Sequence, residues 1–260
     1  MNAKRTLLIV LMSASYSAFA QQGAKPEDTE VWNPVPVKIT PGKYISMPPP
    51  SDAIVLFDGK NLDEWVLNAD RNKPADWIVK GDVLTVNKAS GNIETKRMFT
   101  SYQMHIEWRI PANITGEGQA RGNSGVFLAS IGKGDPGYEL QVVDSYENKT
   151  YVNGMAGSIY KQFAPLSNPS RKPGEWQTYD INWLAPVFND DGSLKAPARI
   201  SVAFNGIIVQ NNTELRGPTQ YIGQPSYSIK HGAAPIKLQA HGDKSEPISF
   251  RNIWVRELKN

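Results

Sequence analysis

The segment GYELQVVDS, near the middle of the chain, places a carboxylate and an amide where they could act together. Glu139 and Gln141 alternate with Tyr138, Leu140 and Val142. In a β-strand this spacing points Glu139 and Gln141 to one face and the apolar residues to the other. A carboxylate can move protons, and an amide can hydrogen-bond a hydroxyl group. The segment therefore indicates a candidate site for a polar substrate.

Two further segments, SYQMHIEWRIP and PIKLQAHG, show the same alternation of polar and apolar residues. The polar positions are Gln103, His105, Glu107 and Arg109 in the first segment, and Lys237, Gln239 and His241 in the second. If the three strands belong to one sheet, their polar faces would converge on a surface of carboxylates, amides, an arginine and imidazoles. An antiparallel sheet also commonly has one solvated face, so an ordinary wet sheet is the alternative.

Glycine-rich loops add further candidates. Asn123 and Ser124 lie between glycines in RGNSGVF, and Tyr160 follows another glycine-rich turn in GMAGSIY. Glycine permits a close backbone approach to a ligand, although glycines that only turn the chain explain the pattern equally well.

The sequence leaves a metal open. His105 and Glu107 have strand spacing for two ligands, which are too few to define a site. The oxygen-rich loop NDDG, residues 189–192, could bind calcium but is more typical of a plain turn. No cofactor is certain, and a divalent metal is possible.

The first twenty residues predict a signal peptide. A basic start with Lys4 and Arg5 precedes an apolar run, and the small-x-small motif AFA at residues 18–20 predicts cleavage after Ala20. The apolar run is shorter than the roughly 20 residues that span a bilayer, so we expect no membrane span. We expect a periplasmic or secreted protein.

Charge and composition exclude one class of partner. Without residues 1–20, Lys+Arg falls from 28 to 26 against 25 Asp+Glu, a net charge of +1, which argues against nucleic-acid binding. The chain of 260 residues has no cysteine, so it has neither disulfides nor thiolate metal sites. A small neutral substrate fits this balance. The sequence indicates no oligomeric state.

The predicted architecture is all-β. Residues 21–50 are proline-rich and predict an extended N-terminal arm, with Trp32 and Tyr44 as residues that could attach it to the body. From residue 51 to residue 260, short alternating segments are separated by glycine and proline turns, including an Asn-Gly hairpin turn in FNGII. Many short strands of this kind predict a sandwich or a barrel.

Several segments occur in the order that is typical of one family. They are LFDGKNLDEW, IEWRIP, GNSGVFL, YELQVVDS, GSIY, GEWQTYDI, PIKLQAHG and ISFRNIWVREL. Because these segments occur in this order, residues 51–260 of the chain resemble the 3-keto-disaccharide hydrolase family. The resemblance implies a concanavalin A-like jelly roll of two antiparallel sheets, one of them concave. It also implies exported enzymes that act on glycosides whose sugar ring carries a ketone at carbon 3.

The resemblance assigns roles to residues of these motifs. The implied catalytic residues are Glu107, Glu139, His241 and Arg109, and the implied substrate-binding residues are Asn123, Ser124, Gln141, Tyr160 and Gln239. Glu139 or Glu107 would remove the acidic proton on carbon 2, and Arg109 or His241 would stabilise charge on the ketone oxygen. The chain departs from the family pattern at Ala240, where an acid is common, and at Ser158, where alanine is common.

Two other functions fit the same fold. A retaining glycoside hydrolase would need two carboxyl groups about 5–5.5 Å apart, and Gln141 stands where a second acid would be expected. A lectin-like module would bind sugar without turnover, because a jelly roll does not by itself imply catalysis. The sequence does not distinguish elimination from hydrolysis.

Overall fold

A computed structural model describes residues 23–258. The predicted signal peptide, residues 1–20, lies outside the described residues. Within residues 23–258 the strands are β1 (Val37–Lys38), β2 (Ile54–Phe57), β3 (Trp65–Leu67), β4 (Ile78–Lys80), β5 (Val83–Thr85), β6 (Ile93–Thr95), β7 (Tyr102–Arg109), β8 (Ser124–Ser130), β9 (Gly137–Val142), β10 (Ser167–Asn168), β11 (Gln177–Leu184), β12 (Val187–Phe188), β13 (Leu194–Ala196), β14 (Arg199–Phe204), β15 (Ile207–Glu214), β16 (Lys237–Leu238) and β17 (Ser249–Glu257). The helical segments are short 3-10 helices at Pro26–Thr29, Gly118–Ala120 and Val152–Gly154.

Two antiparallel sheets build the body of the protein. The larger has the order β15-β14-β11-β7-β17-β5-β4, with β2 also paired to β17. The smaller has the order β3-β6-β16-β8-β9. This arrangement confirms the predicted all-β jelly-roll sandwich. In the described part of the chain, no helix has the length and apolar character needed to cross a membrane.

The apolar rows of the two sheets form one hydrophobic core. In β7 the alternating residues Tyr102, Met104, Ile106 and Trp108 are fully or almost fully buried in it. In the smaller sheet, Leu140 of β9 is among the residues that belong to the same core. Because each strand sends alternate side chains to opposite faces, the polar row of each sheet must point away from the core.

The Asn-Gly turn predicted between β14 and β15 is present. Asn205 and Gly206 both have positive φ angles, 51° and 81°, which a type I′ hairpin turn requires. Glycine accepts this conformation at no steric cost, and asparagine accepts it more readily than most residues. The turn sets the register of the hairpin at one edge of the larger sheet.

Residues 23–50 run along the surface of the body. β1 pairs in parallel with β10, and the ring of Trp32 lies edge-on to Tyr151 at a centroid distance of 6.1 Å. Further along, the hydroxyl of Tyr44 accepts a hydrogen bond from Arg251 at 3.0 Å. Contacts at several points thus hold this segment against the strands.

The expected convergence of three polar faces is wrong for β7. This strand belongs to the larger sheet, whereas β9 and β16 belong to the smaller one. The apolar rows of both sheets meet in the core, so Glu107 and Arg109 face outward on one side of the sandwich and Glu139 faces outward on the other.

Glu107 is the centre of a buried hydrogen-bond network beneath the N-terminal segment. Its carboxylate accepts hydrogen bonds from Arg251 Nε at 2.6 Å, from Ser46 Oγ at 2.7 Å and from Asn252 Nδ2 at 2.9 Å. Burial opposes the ionised form, but hydrogen bonds from His105, Asn252 and Arg251 hold the pKa of Glu107 well below its ordinary value. Glu107 therefore acts as an anchor for residues near Ser46.

The neighbouring charges extend this network. His105 is buried and its Nδ1 lies 2.6 Å from the Asp180 carboxylate. Burial alone would lower the pKa of His105, but the hydrogen bonds to Asp180 and Glu107 raise it. The guanidinium groups of Arg109 and Arg251 both lie over the ring of Trp176, at 4.4 and 4.1 Å. Arg109 thus has a packing role on this face.

Replacement of Glu107 tests this structural role. Glu107→Gln leaves Arg251 without its buried partner, so we expect a loss of about 3 kcal/mol in the free energy of unfolding. Asp82→Asn is a matched control, because Asp82 is an exposed partner of the same arginine and should contribute less than about 1 kcal/mol. Urea unfolding monitored by tryptophan fluorescence measures both.

The effect of Glu107 should depend on pH. Its pKa is lower in the folded protein, so its contribution is complete above its ordinary value of 4.5 and decreases as the pH falls below it. Unchanged stability in Glu107→Gln combined with lost turnover would contradict the structural role and restore Glu107 as a candidate base.

Candidate active site

One row of side chains crosses the outer face of the smaller sheet. Lys237 of β16 pairs with Phe127 of β8, and Phe127 pairs with Glu139 of β9. The Lys237 ammonium lies 4.0 Å from the centre of the Phe127 ring. It donates hydrogen bonds to the backbone oxygens of Gly134 and Pro136, at 2.7 and 3.0 Å. This row places a buried cation, an aromatic ring and a carboxylate side by side.

The next row on the same face contains a glycine between two amides. Gly125 pairs with Gln141, and on its other side its carbonyl accepts a hydrogen bond from the Gln239 backbone at 3.0 Å. A Cβ on Gly125 would lie 2.5 Å from Glu139 Oε1 and 3.0 Å from Phe127. Because Gly125 has no side chain, the Glu139 carboxylate can occupy this space.

Above these rows lies a cavity of about 260 Å³. Its lining residues are Asn123, Asp135, Glu139, Gln141, Tyr160, Thr219, Tyr221, Gln239 and His241. Six of the nine residues implied by the resemblance are therefore brought together, two from β9 and four from three loops, one of which directly follows β16. The cavity approaches the size of pockets that hold small ligands, about 300–1,000 Å³.

Three implied residues lie outside the cavity. Glu107 and Arg109 are on the larger sheet, as described above. Ser124 is fully buried, pairs with Val142 and donates its hydroxyl hydrogen to the Gln239 backbone oxygen at 2.7 Å. It thus supports the strand that carries Gln239 and does not face the cavity.

Glu139 is a buried carboxylate without a hydrogen-bonded partner for its side chain among the described residues. Burial, together with the negative charge of Asp135, raises the pKa of Glu139 to about 8, while the positive charge of Lys237 acts in the opposite direction. A carboxyl group with a pKa near neutrality can take up or release a proton under ordinary conditions. This residue is the strongest candidate for acid–base chemistry.

The side-chain amides of Gln119, Gln141 and Asn123 are linked by hydrogen bonds, and a bond to the backbone fixes their orientation. Gln119 Nε2 donates to the Gly154 carbonyl at 2.8 Å, which turns Gln119 Oε1 toward Gln141. Gln141 Nε2 then donates to Gln119 Oε1 and to Asn123 Oδ1, both at 3.0 Å. The oxygen Oε1 of Gln141 is buried and has no hydrogen-bond partner within residues 23–258.

Gln239 has an equivalent buried oxygen, Oε1, which finds no partner in the described part of the chain either. Leaving a buried acceptor without a donor costs free energy, so such atoms in a cavity are typical of binding sites. The hydroxyl groups of a carbohydrate are suitable donors for both amide oxygens.

His241 is oriented by a neighbouring acid. Its Nδ1 lies 2.8 Å from Asp243 Oδ2. The Asp243 carboxylate also accepts hydrogen bonds from Lys88 at 3.0 Å and from the Ser245 backbone at 2.8 Å. Although burial opposes its charge, these hydrogen bonds lower the pKa of Asp243. The Asp243 carboxylate therefore fixes the orientation of the His241 imidazole.

Several residues that line the cavity or support its lining were not found from the sequence. Asp243 follows His241 by two residues in HGDKS, and this short spacing was the only available signal. Thr219 and Tyr221 lie in a long loop without periodicity. The Thr219 backbone donates to the Gly137 carbonyl at 2.7 Å, and its hydroxyl accepts from the Glu139 backbone at 3.0 Å. The loop therefore covers the free edge of β9.

The described residues supply no evident metal site. From residue 23 to residue 258, no three His, Cys, Asp or Glu side chains gather as possible ligands. The loop NDDG is a turn between β12 and β13, in which Asp191 accepts hydrogen bonds from the backbone and hydroxyl of Ser193.

A comparison with known protein families gives a match that covers most of the chain and agrees with the observed fold. A model of the 3-keto-alpha-glucoside-1,2-lyase-like domain matches residues 52–256. The chain belongs to this family.

Solved structures extend the comparison. One crystal structure of a candidate glycosyl hydrolase from Parabacteroides distasonis ATCC 8503 is 50% identical, covers 95% of this chain and 100% of its own, and has a TM-score of 0.76. Another from the same organism is 22% identical, covers 79% of this chain and 99% of its own, and has a TM-score of 0.56, which shows the shared fold. No match was found among curated proteins. Together, the family and the first structure support a glycoside-acting enzyme.

Gly125→Ala tests the packing of the cavity floor. The added methyl group would displace the Glu139 carboxylate, and a shift of about 1 Å at a reacting group can cost about 100-fold in rate. Gly232→Ala is the matched control, because no atom lies within 4 Å of its Cβ position. Steady-state turnover and thermal unfolding should be measured for both. Full turnover in a folded Gly125→Ala protein would show that this contact is unimportant.

Proposed function

We propose that the protein is an exported enzyme that cleaves glycosides whose sugar ring carries a ketone at carbon 3. The observation that carries this proposal is the unpaired, buried carboxylate of Glu139 in a cavity of amides and an imidazole. Family membership supplies the substrate class. The basic, apolar and small-residue order of residues 1–20 supports export, and N-terminal sequencing of the mature chain should then begin at Gln21.

The proposed reaction begins with proton transfer. A ketone at carbon 3 makes the hydrogen on carbon 2 acidic, and ionised Glu139 removes it to form an enediolate. The electron pair then forms a double bond between carbons 2 and 1 while the bond from carbon 1 to the leaving oxygen breaks. Protonated Glu139 can return the proton to the departing oxygen. Addition of water to the double bond would complete a hydrolysis.

The other cavity residues stabilise and hold the substrate. His241, fixed by Asp243, is the candidate for stabilising negative charge on the ketone oxygen. The unpaired oxygens of Gln141 and Gln239 accept hydrogen bonds from sugar hydroxyls. Asn123 and Tyr160 line the same cavity and contact the substrate in it.

A comparison of two substrates tests the reaction. The protein is incubated with a 3-keto-disaccharide and with the parent disaccharide in deuterated water, and released sugar is followed by NMR. We expect cleavage of the keto form alone, with deuterium at carbon 2 of a hydrolysed keto sugar in excess of an enzyme-free control. Cleavage of both sugars without deuterium would indicate ordinary hydrolysis, with Asp135 as the second carboxylate. Binding without cleavage would indicate a lectin.

The pH dependence tests the role of Glu139. Since its pKa is raised to about 8, the base form is scarce at low pH, and kcat/KM should rise about tenfold per pH unit before levelling above that value. Glu139→Gln should lower turnover by about 10²–10⁴-fold and remove the rising limb.

Asp135→Asn is a second test of the same assignment. It removes the negative charge that helps to raise the pKa of Glu139, so the rising limb should move to lower pH. Full turnover in Glu139→Gln would exclude Glu139 as the base.

A further inference from the structure

Tyrosine rings form one wall of the cavity at its mouth. We propose that the wall of Tyr160 and Tyr221, positioned by Lys161, binds the leaving-group half of the glycoside and thereby sets which leaving groups are accepted. The class of leaving group is a ring with a flat apolar face, such as a second pyranose or an aryl group. This inference rests on the proposed function.

The residues that line the cavity differ in solvent exposure, and this difference distinguishes its closed end from its mouth. Asn123, Gln141 and Gln239 are at most 8% exposed, whereas Tyr221 is 61% exposed. The unpaired amide oxygens therefore lie at the closed end, where a hydroxyl-bearing ring can be desolvated. With about 260 Å³, the cavity suits one ring better than two. Tyr221 and Asp135 are the exposed residues of the lining, so the second half of a disaccharide would leave the cavity beside them.

Lys161 fixes the position of this wall. Its ammonium donates hydrogen bonds to the backbone oxygens of Tyr221 and Pro26, at 3.0 and 2.6 Å. It also lies 4.7 Å from the centre of the Tyr221 ring. Lys161 is 6% exposed, and burial lowers its pKa. A buried ammonium held by two carbonyls and an aromatic ring joins three separate segments of the chain.

The second tyrosine of the wall is fixed from behind. The hydroxyl groups of Tyr160 and Tyr151 are 2.6 Å apart, and the Lys161 ammonium is 6.0 Å from the centre of the Tyr160 ring. Asn153, in the 3-10 helix beside Tyr151, accepts from the Val31 backbone and donates to the Thr29 carbonyl, both at 2.9 Å. The N-terminal residues 26–31 are therefore part of the support of the wall.

The experiment compares kcat/KM for a 3-keto-disaccharide, an aryl 3-keto-glucoside and methyl 3-keto-glucoside. Loss of an aromatic contact in Tyr221→Ala should lower the ratio of the disaccharide value to the methyl value by about 3- to 10-fold. The aryl substrate should show the same loss if the flat face is what is recognised. Ile222→Ala is the matched control, since this neighbouring exposed residue does not line the cavity.

Lys161→Met tests the positioning role, because methionine keeps an apolar stem and removes the ammonium. It should lower the same ratio, chiefly through KM for the disaccharide, and the double variant with Tyr221→Ala should lose less than the product of the two effects. Equal losses on all substrates, or an unchanged ratio in Tyr221→Ala, would overturn the proposal. A wild-type protein that cleaves none of the substrates would overturn the proposed function itself.

Discussion

The main constraint on this protein is that its two sheets share a single hydrophobic core. In each sheet, polar and apolar residues alternate along the strands. Each strand can bury only one of its two rows, so packing the apolar rows against each other sends the polar rows to opposite outer faces. Glu107 and Glu139 each belong to the polar row of their strand, yet this geometry places them on opposite outer faces. One outer face became an attachment surface for the N-terminal segment, and the other became a cavity.

The two carboxylates show two ways to bury a charge. Glu107 is surrounded by donors and an arginine, so its ionised form stabilises the fold. Glu139 has no such partners among the residues that the structure describes, and its raised pKa means that the free energy of unfolding falls as the pH rises from 4.5 toward about 8. A site that keeps an unpaired carboxyl group therefore reduces stability, and the paired network on the other side of the sandwich compensates for part of that cost.

Alternation in the sequence predicted the long strands, such as β7 and β9, and their buried faces, whereas short strands such as β6 and β10 gave no such signal. It placed Glu139, Gln141 and Gln239 on one outer surface, and they do lie there, because β9 and the segment that carries Gln239 flank β8 on its two sides. Strand order is not encoded in local periodicity, so the placement of Glu107 and Arg109 could not be predicted in this way. Thr219 and Tyr221 reach the cavity through a loop whose path depends on hydrogen bonds to β9 and to Lys161. Such contacts leave no spacing signal.

The hydrogen bond between Lys161 and the Pro26 carbonyl has a practical consequence for handling the protein. Pro26 shares the Lys161 ammonium with Tyr221, so the chain passes near the mouth of the cavity only a few positions after the expected end of the leader. A fusion tag attached there would emerge next to Tyr221 and would compete with long ligands for the entrance. Preparations with and without such a tag would then differ in apparent affinity although their strands are identical.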